Sequence, residues 1–122
     1  MYFFIQGTKT TPYAIIQEGY MKITGNSTPV EANDEFYGHM TRKMNLYALQ
    51  PANQTNVDIA LKHVNAASKR HIIELLKTLE KLEQQGFKVI INWQYEKDNE
   101  DVRELGEILQ TMFSIEFRFL AA

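Results

Sequence analysis

Three segments with helical periodicity alternate with short strand-like segments along this chain, and that alternation restricts its fold more than any other feature. Apolar residues recur at the three- and four-residue steps typical of amphipathic helices. They are Phe36, Tyr37, Met40, Met44 and Tyr47, then Ala67, Ile72, Leu75, Leu76, Leu79 and Leu82, and then Val102, Leu105, Ile108, Leu109 and Met112. Strands are predicted between and after these helices, at residues 57–63, 87–95 and 115–120. Strands that alternate with helices are joined by right-handed crossovers, so the order predicts an α/β domain with a largely parallel or mixed sheet.

The beginning of the chain predicts antiparallel strands at one side of that sheet. Residues 13–17 and 20–24 are rich in Ile, Tyr and Thr, and Glu18-Gly19 between them is typical of a hairpin turn. A further strand is predicted at residues 2–6, before the polar loop Gly7–Pro12. The loop is a weak candidate for a binding surface, because loops are commonly polar for solvation alone.

Capping residues mark where the helices begin and end. Thr28, Pro29 and Glu31 form a capping box with proline at the first helical position, and Asn33 is an alternative cap. Gly86 marks the end of the second helix. The continuous apolar centre of the strand at 87–95 predicts coverage on both faces. Because no linker, repeat or low-complexity segment interrupts residues 1–122, we expect one domain with a mixed sheet, an N-terminal β-hairpin and about three helices.

The composition excludes several classes of protein. The chain has 122 residues, a net charge of -2 and no cysteine, which rules out disulfides, thiolate metal sites and cysteine nucleophiles. A near-neutral charge argues against nucleic-acid binding. No apolar stretch approaches the roughly 20 residues of a membrane span, and the apolar N-terminus is too short for a secretory signal. We therefore expect a cytoplasmic protein that binds neither nucleic acid nor membrane.

Motifs for catalysis are missing from the sequence. His39, His63 and His71 have no recognised metal-ligand spacing, and no phosphate-binding glycine loop or Gly-x-Ser-x-Gly motif occurs. His63 shares its strand face with Ile59 and Leu61, so a packed core or edge histidine is expected there. We expect no catalytic residue, no metal and no cofactor.

One helix start breaks the usual charge rule. Asn65 is a good N-cap with Ser68 at the third helical position, and Lys69, Arg70 and His71 follow. Acidic residues are the expected neighbours of a helix N-terminus, where the dipole is positive. A basic helix start with a hydroxyl and free amides indicates a site for an anion, either a phosphate or an acidic partner surface. The alternative is that the cations are merely solvated or paired with nearby carboxylates.

Two other functions stay open from the residues alone. Trp93 and Tyr95 end a central strand, where α/β sheets often carry their sites, and with His63 they would line a ligand-binding or catalytic pocket. A tryptophan in an apolar strand is more often part of the core. A structural subunit that dimerises through its edge strands is the third alternative.

Six segments, taken in order, resemble a known family across nearly the whole chain. They are residues 7–12, 25–31 leading to 35–37, 64–68, 89–95 leading to 96–101, 105–107 and 117–119. Each segment is weak alone, but together they resemble the SiaC-type bacterial regulatory phosphoproteins, which have a fold like that of anti-sigma-factor antagonists (STAS-like).

This resemblance implies a non-enzymatic signalling adaptor. In such proteins a partner kinase phosphorylates a hydroxyl at the start of the second helix, a PP2C-like phosphatase removes the phosphate, and the unphosphorylated form binds an effector such as a diguanylate cyclase in biofilm control. The family pattern is Asn-Thr-Ser-Ser with the Thr as acceptor, whereas this chain has Asn65, Ala66, Ala67 and Ser68. Either Ser68 has become the acceptor, or this chain binds its partner without phosphorylation. The resemblance places the partner-binding region at Asn65, Ala66, Ser68, Lys69 and Arg70.

Overall fold

The structure is a computed structural model that describes residues 2–28 and 35–122. Over these residues the elements are β1 (Tyr2–Ile5), β2 (Tyr13–Gln17), β3 (Tyr20–Ser27), α1 (Glu35–Leu49), β4 (Gln54–Val64), α2 (Ala66–Gln84), β5 (Lys88–Tyr95), α3 (Glu100–Met112) and β6 (Glu116–Ala121). The predicted α/β order is confirmed.

The strands form one mixed sheet. Its described strands follow one another in space as β1-β2-β3-β4-β5-β6. The pairs β1–β2 and β2–β3 are antiparallel, and the pairs β3–β4, β4–β5 and β5–β6 are parallel. The predicted hairpin joins β2 to β3, and Gly19 adopts a φ of 76° in its turn, a conformation that glycine adopts without strain. The N-terminal hairpin and the mixed sheet are thus both confirmed.

The helices of the described residues pack on a single face of this sheet. Ile59 pairs with Trp93 across β4 and β5, so the two side chains point to the same face. Ile59 lines a small internal cavity with Met40 of α1 and Ile72 of α2. Trp93 lies directly beneath Gly106 of α3. The core therefore lies between one layer of helices and one face of the sheet.

The opposite face of the sheet is here called the open face. The prediction that β5 is covered on both sides is wrong at this face. Asn92 and Gln94 of β5 lie on this face and are half-buried. Asn92 donates a hydrogen bond to Asp58, at 2.9 Å. Ile90 is the apolar residue of β5 on the open face, and it is buried there without a covering helix. Parallel crossovers that all run in one direction place their helices on one side, which explains why the apolar run of β5 was misleading.

Element boundaries were predicted less well than element types. β3 continues to Ser27 through the predicted break, because Gly25 has a φ of 121° and the pairing with β4 shifts register between Gly25 and Ser27. The helix start predicted at Thr28–Glu31, like the alternative cap Asn33, involves residues 29–34, which are outside the described residues. The apolar residues predicted for α1 are all buried, whereas Ile108 and Met112 of α3 are exposed.

Candidate functional site

Asn65 and Ser68 cap the start of α2 reciprocally, as the sequence predicts. The Asn65 side-chain oxygen accepts a hydrogen bond from the Ser68 backbone N–H at 2.9 Å. The Ser68 hydroxyl accepts one from the Asn65 backbone N–H at 3.0 Å and donates one to the Asn65 carbonyl oxygen at 2.9 Å. A capping box of this kind satisfies two backbone donors that a helix start otherwise leaves unpaired.

Ser68 and Ala66, the two positions on which phosphorylation would depend, differ in their burial. The Ser68 side chain is 0 % exposed and its hydroxyl is engaged as donor and as acceptor in the cap. Ala66, at the position of the family's acceptor, is exposed but has no hydroxyl. A kinase acting on Ser68 would have to open the first turn of α2 to reach it, because a hydroxyl with no exposed surface cannot meet a phosphate donor.

The basic residues of this turn face solvent. Lys69 and Arg70 are both exposed. Neither forms an ion pair with any residue in the ranges 2–28 and 35–122. The backbone N–H groups of Ala66 and Ala67 also have no hydrogen-bond partner in these ranges. Two free cations beside two free amides make this helix start a surface suited to an acidic group.

His71 has a packing role instead of a ligand role. Its ring stacks on Tyr37 of α1 with 4.6 Å between centroids and 5° between planes. The Tyr37 hydroxyl lies 2.5 Å from the Ser27 hydroxyl at the end of β3. These contacts fix the first turns of α2 against α1 and β3, so the basic turn is held on a rigid support.

An acidic cavity lies beside the basic turn, at the start of α3. Its volume is about 380 Å³, and it is lined by His63, Glu96, Asp98, Asn99, Glu100 and Asp101. The Asn99 side chain caps α3 by accepting from the Val102 N–H at 3.2 Å, and it donates to the Lys62 carbonyl oxygen at 2.7 Å. The described residues contain no group of three or more His, Asp or Glu placed to hold a metal ion. The end of the sheet therefore presents a basic helix start next to an acidic one.

The pocket predicted from Trp93, Tyr95 and His63 is not formed. Trp93 is 0 % exposed, its indole N–H donates to the Val102 carbonyl oxygen at 2.9 Å, and it belongs to the core. Tyr95 is half-buried and does not line the cavity that contains His63. His63 itself is exposed, so the expectation that it packs in the core with Ile59 and Leu61 is wrong. It lies near the C-terminal end of β4, so the alternation that buries Ile59 and Leu61 no longer places it beneath a helix.

The capping box at the start of α2 was predicted from the sequence and is confirmed, but its acidic neighbour was not predicted. No site was predicted from the acidic residues of 96–101, and His63 was expected to be a packed core or edge residue. The sequence feature that could have indicated this neighbour is Asn99, a cap residue in the middle of the acidic segment. Its side chain anchors that segment to the end of β4.

None of the helices in the described residues has the length and apolar character needed to cross a membrane.

Comparison with known proteins gives consistent results. The family model described as "SiaC family regulatory phosphoprotein" matches residues 5–122. An uncharacterized protein of Pseudomonas aeruginosa strain UCBPP-PA14 is 29% identical over 119 residues, covering 96% of this chain and 94% of that protein. The crystal structure of the diguanylate cyclase SiaD in complex with its activator SiaC, from Pseudomonas aeruginosa, contains a similar chain. The two chains are 26% identical with a TM-score of 0.85, over 98% of this chain and 99% of that one.

The crystal structure of apo-SiaC from the same organism has the same fold. It is 23% identical with a TM-score of 0.84, and the match covers 99% of both chains. The family match spans nearly the whole sequence, and the resemblance predicted from the six ordered segments is confirmed. The chain belongs to the SiaC family of regulatory phosphoproteins.

Proposed function

We propose that this chain is a regulatory adaptor that binds a diguanylate cyclase through the start of α2, and that phosphorylation of Ser68 does not control this binding. The surface meant here, the α2-start surface, consists of Ala66, Lys69 and Arg70. The single observation that carries the proposal is this exposed basic turn, whose cations have no ion-pair partner among the described residues, in a member of a family in which SiaC activates the cyclase SiaD.

Charge and geometry indicate what the partner must offer. Lys69 and Arg70 lie where the α2 dipole is already positive, so their charges add to the dipole instead of compensating for it. Keeping both there costs some tenths of a kcal/mol at an exposed site. A carboxylate of a partner would relieve that cost and would find the free N–H groups of Ala66 and Ala67. The cyclase surface that docks here is therefore acidic.

The buried state of Ser68 supports binding without phosphorylation at this turn. A phosphate adds roughly -1.5 to -2 charges and three acceptor oxygens, which a fully buried position cannot take up without loss of the cap. The kinase and the PP2C-like phosphatase that the resemblance implies therefore have no accessible substrate at the α2 start. The adaptor is non-enzymatic, and it acts in the cytoplasm, where a diguanylate cyclase meets its nucleotide substrate.

Purified components test this function directly. The diguanylate cyclases of the organism that encodes this chain are purified one by one, and complex formation and the rate of cyclic dinucleotide synthesis are measured with and without the chain. We expect one cyclase to form a stable complex and to change its rate when the chain is added. If every cyclase is neither bound nor affected at micromolar concentration, the proposed function is wrong.

A further inference from the structure

A cavity lies away from the α2-start surface, on the open face of the sheet. Its volume is about 610 Å³, and its walls are the ends of β1 to β4 and the loop Gly7–Pro12. Tyr13, Thr24 and Ala60 pair across β2, β3 and β4 and so share this face. Lys62, two residues beyond Ala60, shares it as well.

The loop that closes one side of this cavity is held in a single arrangement. The Thr8 hydroxyl lies 2.7 Å from the Thr11 hydroxyl and accepts from the Thr11 N–H at 3.0 Å. The Thr8 N–H donates to the Thr11 carbonyl oxygen at 2.9 Å. A Cβ on Gly7 would come within 2.8 Å of the Tyr13 nitrogen, so only glycine fits where the loop begins. The wall of the cavity is therefore preformed, which lowers the cost of binding a ligand.

One end of the cavity is cationic. Lys62 is exposed and forms no ion pair with any residue that the structure describes. Asn26, which also lines the cavity, donates from its amide nitrogen to the Lys9 carbonyl oxygen at 3.2 Å. Its side-chain oxygen is buried and has no hydrogen-bond partner among the described residues. Because that oxygen has almost no exposed surface, it does not meet a ligand in the cavity, and Lys62 is the group that this end offers.

The other end of the cavity is aromatic. The rings of Phe4 on β1 and Tyr13 on β2 lie 6.1 Å apart, tilted by 37°. The Phe4 side chain is 55% exposed, which is unusual for a phenylalanine in a strand. Neighbouring strands are about 4.8 Å apart, so two to three strand spacings, about 10 to 14 Å, separate this pair from Lys62 on β4.

We propose that this cavity binds a small anion of nucleotide length, with its phosphate or carboxylate at Lys62 and a planar ring against Phe4 and Tyr13. The cation and the rings lie at the separation that such a molecule requires. An anion without a ring would use only Lys62, and a short aromatic acid would not span the distance between the two ends. The proposal does not depend on cyclase binding at the α2-start surface.

Adenosine monophosphate is a suitable probe, and the full chain labelled with ¹⁵N is the sample. We expect saturable shifts of the backbone amides at 7–13, 24–26 and 62, with a Kd in the millimolar range or below. Adenosine lacks the charge and phenylacetate lacks the length, so each should bind at least about tenfold more weakly.

Two variants locate the charge. Lys62→Gln removes the cation from the cavity, and Lys88→Gln removes a lysine from the opposite end of the same sheet face. We expect Lys62→Gln to weaken the probe about tenfold, with Lys88→Gln unchanged. The proposal is overturned by the absence of saturable shifts up to 10 mM probe, about the limit of a specific millimolar site. Equal affinity for adenosine and its monophosphate, or equal weakening by both variants, would overturn it too.

Discussion

Replacing Ser68 by alanine tests whether the Ser68 hydroxyl acts as a structural cap of α2 or only as a phosphorylation site. The change removes a hydroxyl that donates to the Asn65 carbonyl oxygen and accepts from the Asn65 N–H. Loss of a cap hydroxyl costs about 0.5 to 2 kcal/mol, and the loss of two hydrogen bonds made by a fully buried side chain belongs to the upper half of that range. We therefore expect the free energy of unfolding to fall by about 1 to 2 kcal/mol.

This loss is large enough to measure by thermal unfolding. With about 2.1 cal/mol/K of unfolding entropy per residue, a chain of 122 residues should lose about 4 to 8 °C in Tm. Ala66→Ser is the matched control, because it changes one oxygen in the same turn at an exposed position, and its free energy of unfolding should stay within about 0.5 kcal/mol of wild type. A Ser68→Ala protein that unfolds at the wild-type temperature would refute the structural role of this hydroxyl.

Three further predictions concern packing, ionisation and modification. Gly106→Ala should lower the free energy of unfolding by about 1 to 3 kcal/mol, since the new Cβ would lie 2.5 Å from Trp93 Cδ1. Gly38→Ala, whose Cβ has room, should instead be neutral or stabilising in urea unfolding. Burial, with the hydrogen bond to Asp58, raises the pKa of Tyr20 to about 12 from its usual 10.0. Its stabilising contribution is therefore complete below pH 10 and lost as the pH rises through 12, and Asp58→Asn should lower this pKa in an ultraviolet titration. Ala66→Thr places an exposed hydroxyl at the family's acceptor position, so a SiaC-type kinase should phosphorylate that variant but not wild type, as read by intact mass spectrometry.

The fold was predictable wherever local patterns and topology agreed. The periodic apolar residues of α1 and the turn at Gly19 determine their elements locally, and both are confirmed. The side of the sheet on which a helix packs is set by the direction of every crossover together, which no local window contains. For this reason the apolar run around Ile90 wrongly indicated a strand covered on both faces.

The candidate site was predictable in part for the same reason. Asn65 and Ser68 cap each other within four residues, so the sequence alone reveals the cap. Whether the Ser68 hydroxyl is exposed depends on packing against the rest of the fold, and its complete burial emerges only from the structure. His63 meets the acidic segment because β4 ends and α3 begins at the same edge, a juxtaposition of residues more than thirty positions apart.

The α2-start surface is tested most directly by reversing its charge. The affinity of the cyclase is measured by calorimetry for the wild-type chain, for the double variant Lys69→Glu/Arg70→Glu, and for Lys81→Glu, which makes the same kind of change in the last turn of α2. We expect the double variant to raise the Kd by about tenfold or more, most strongly at low salt, and Lys81→Glu to leave it unchanged. A double variant that binds with the wild-type Kd would contradict the proposal that the cyclase docks at the start of α2.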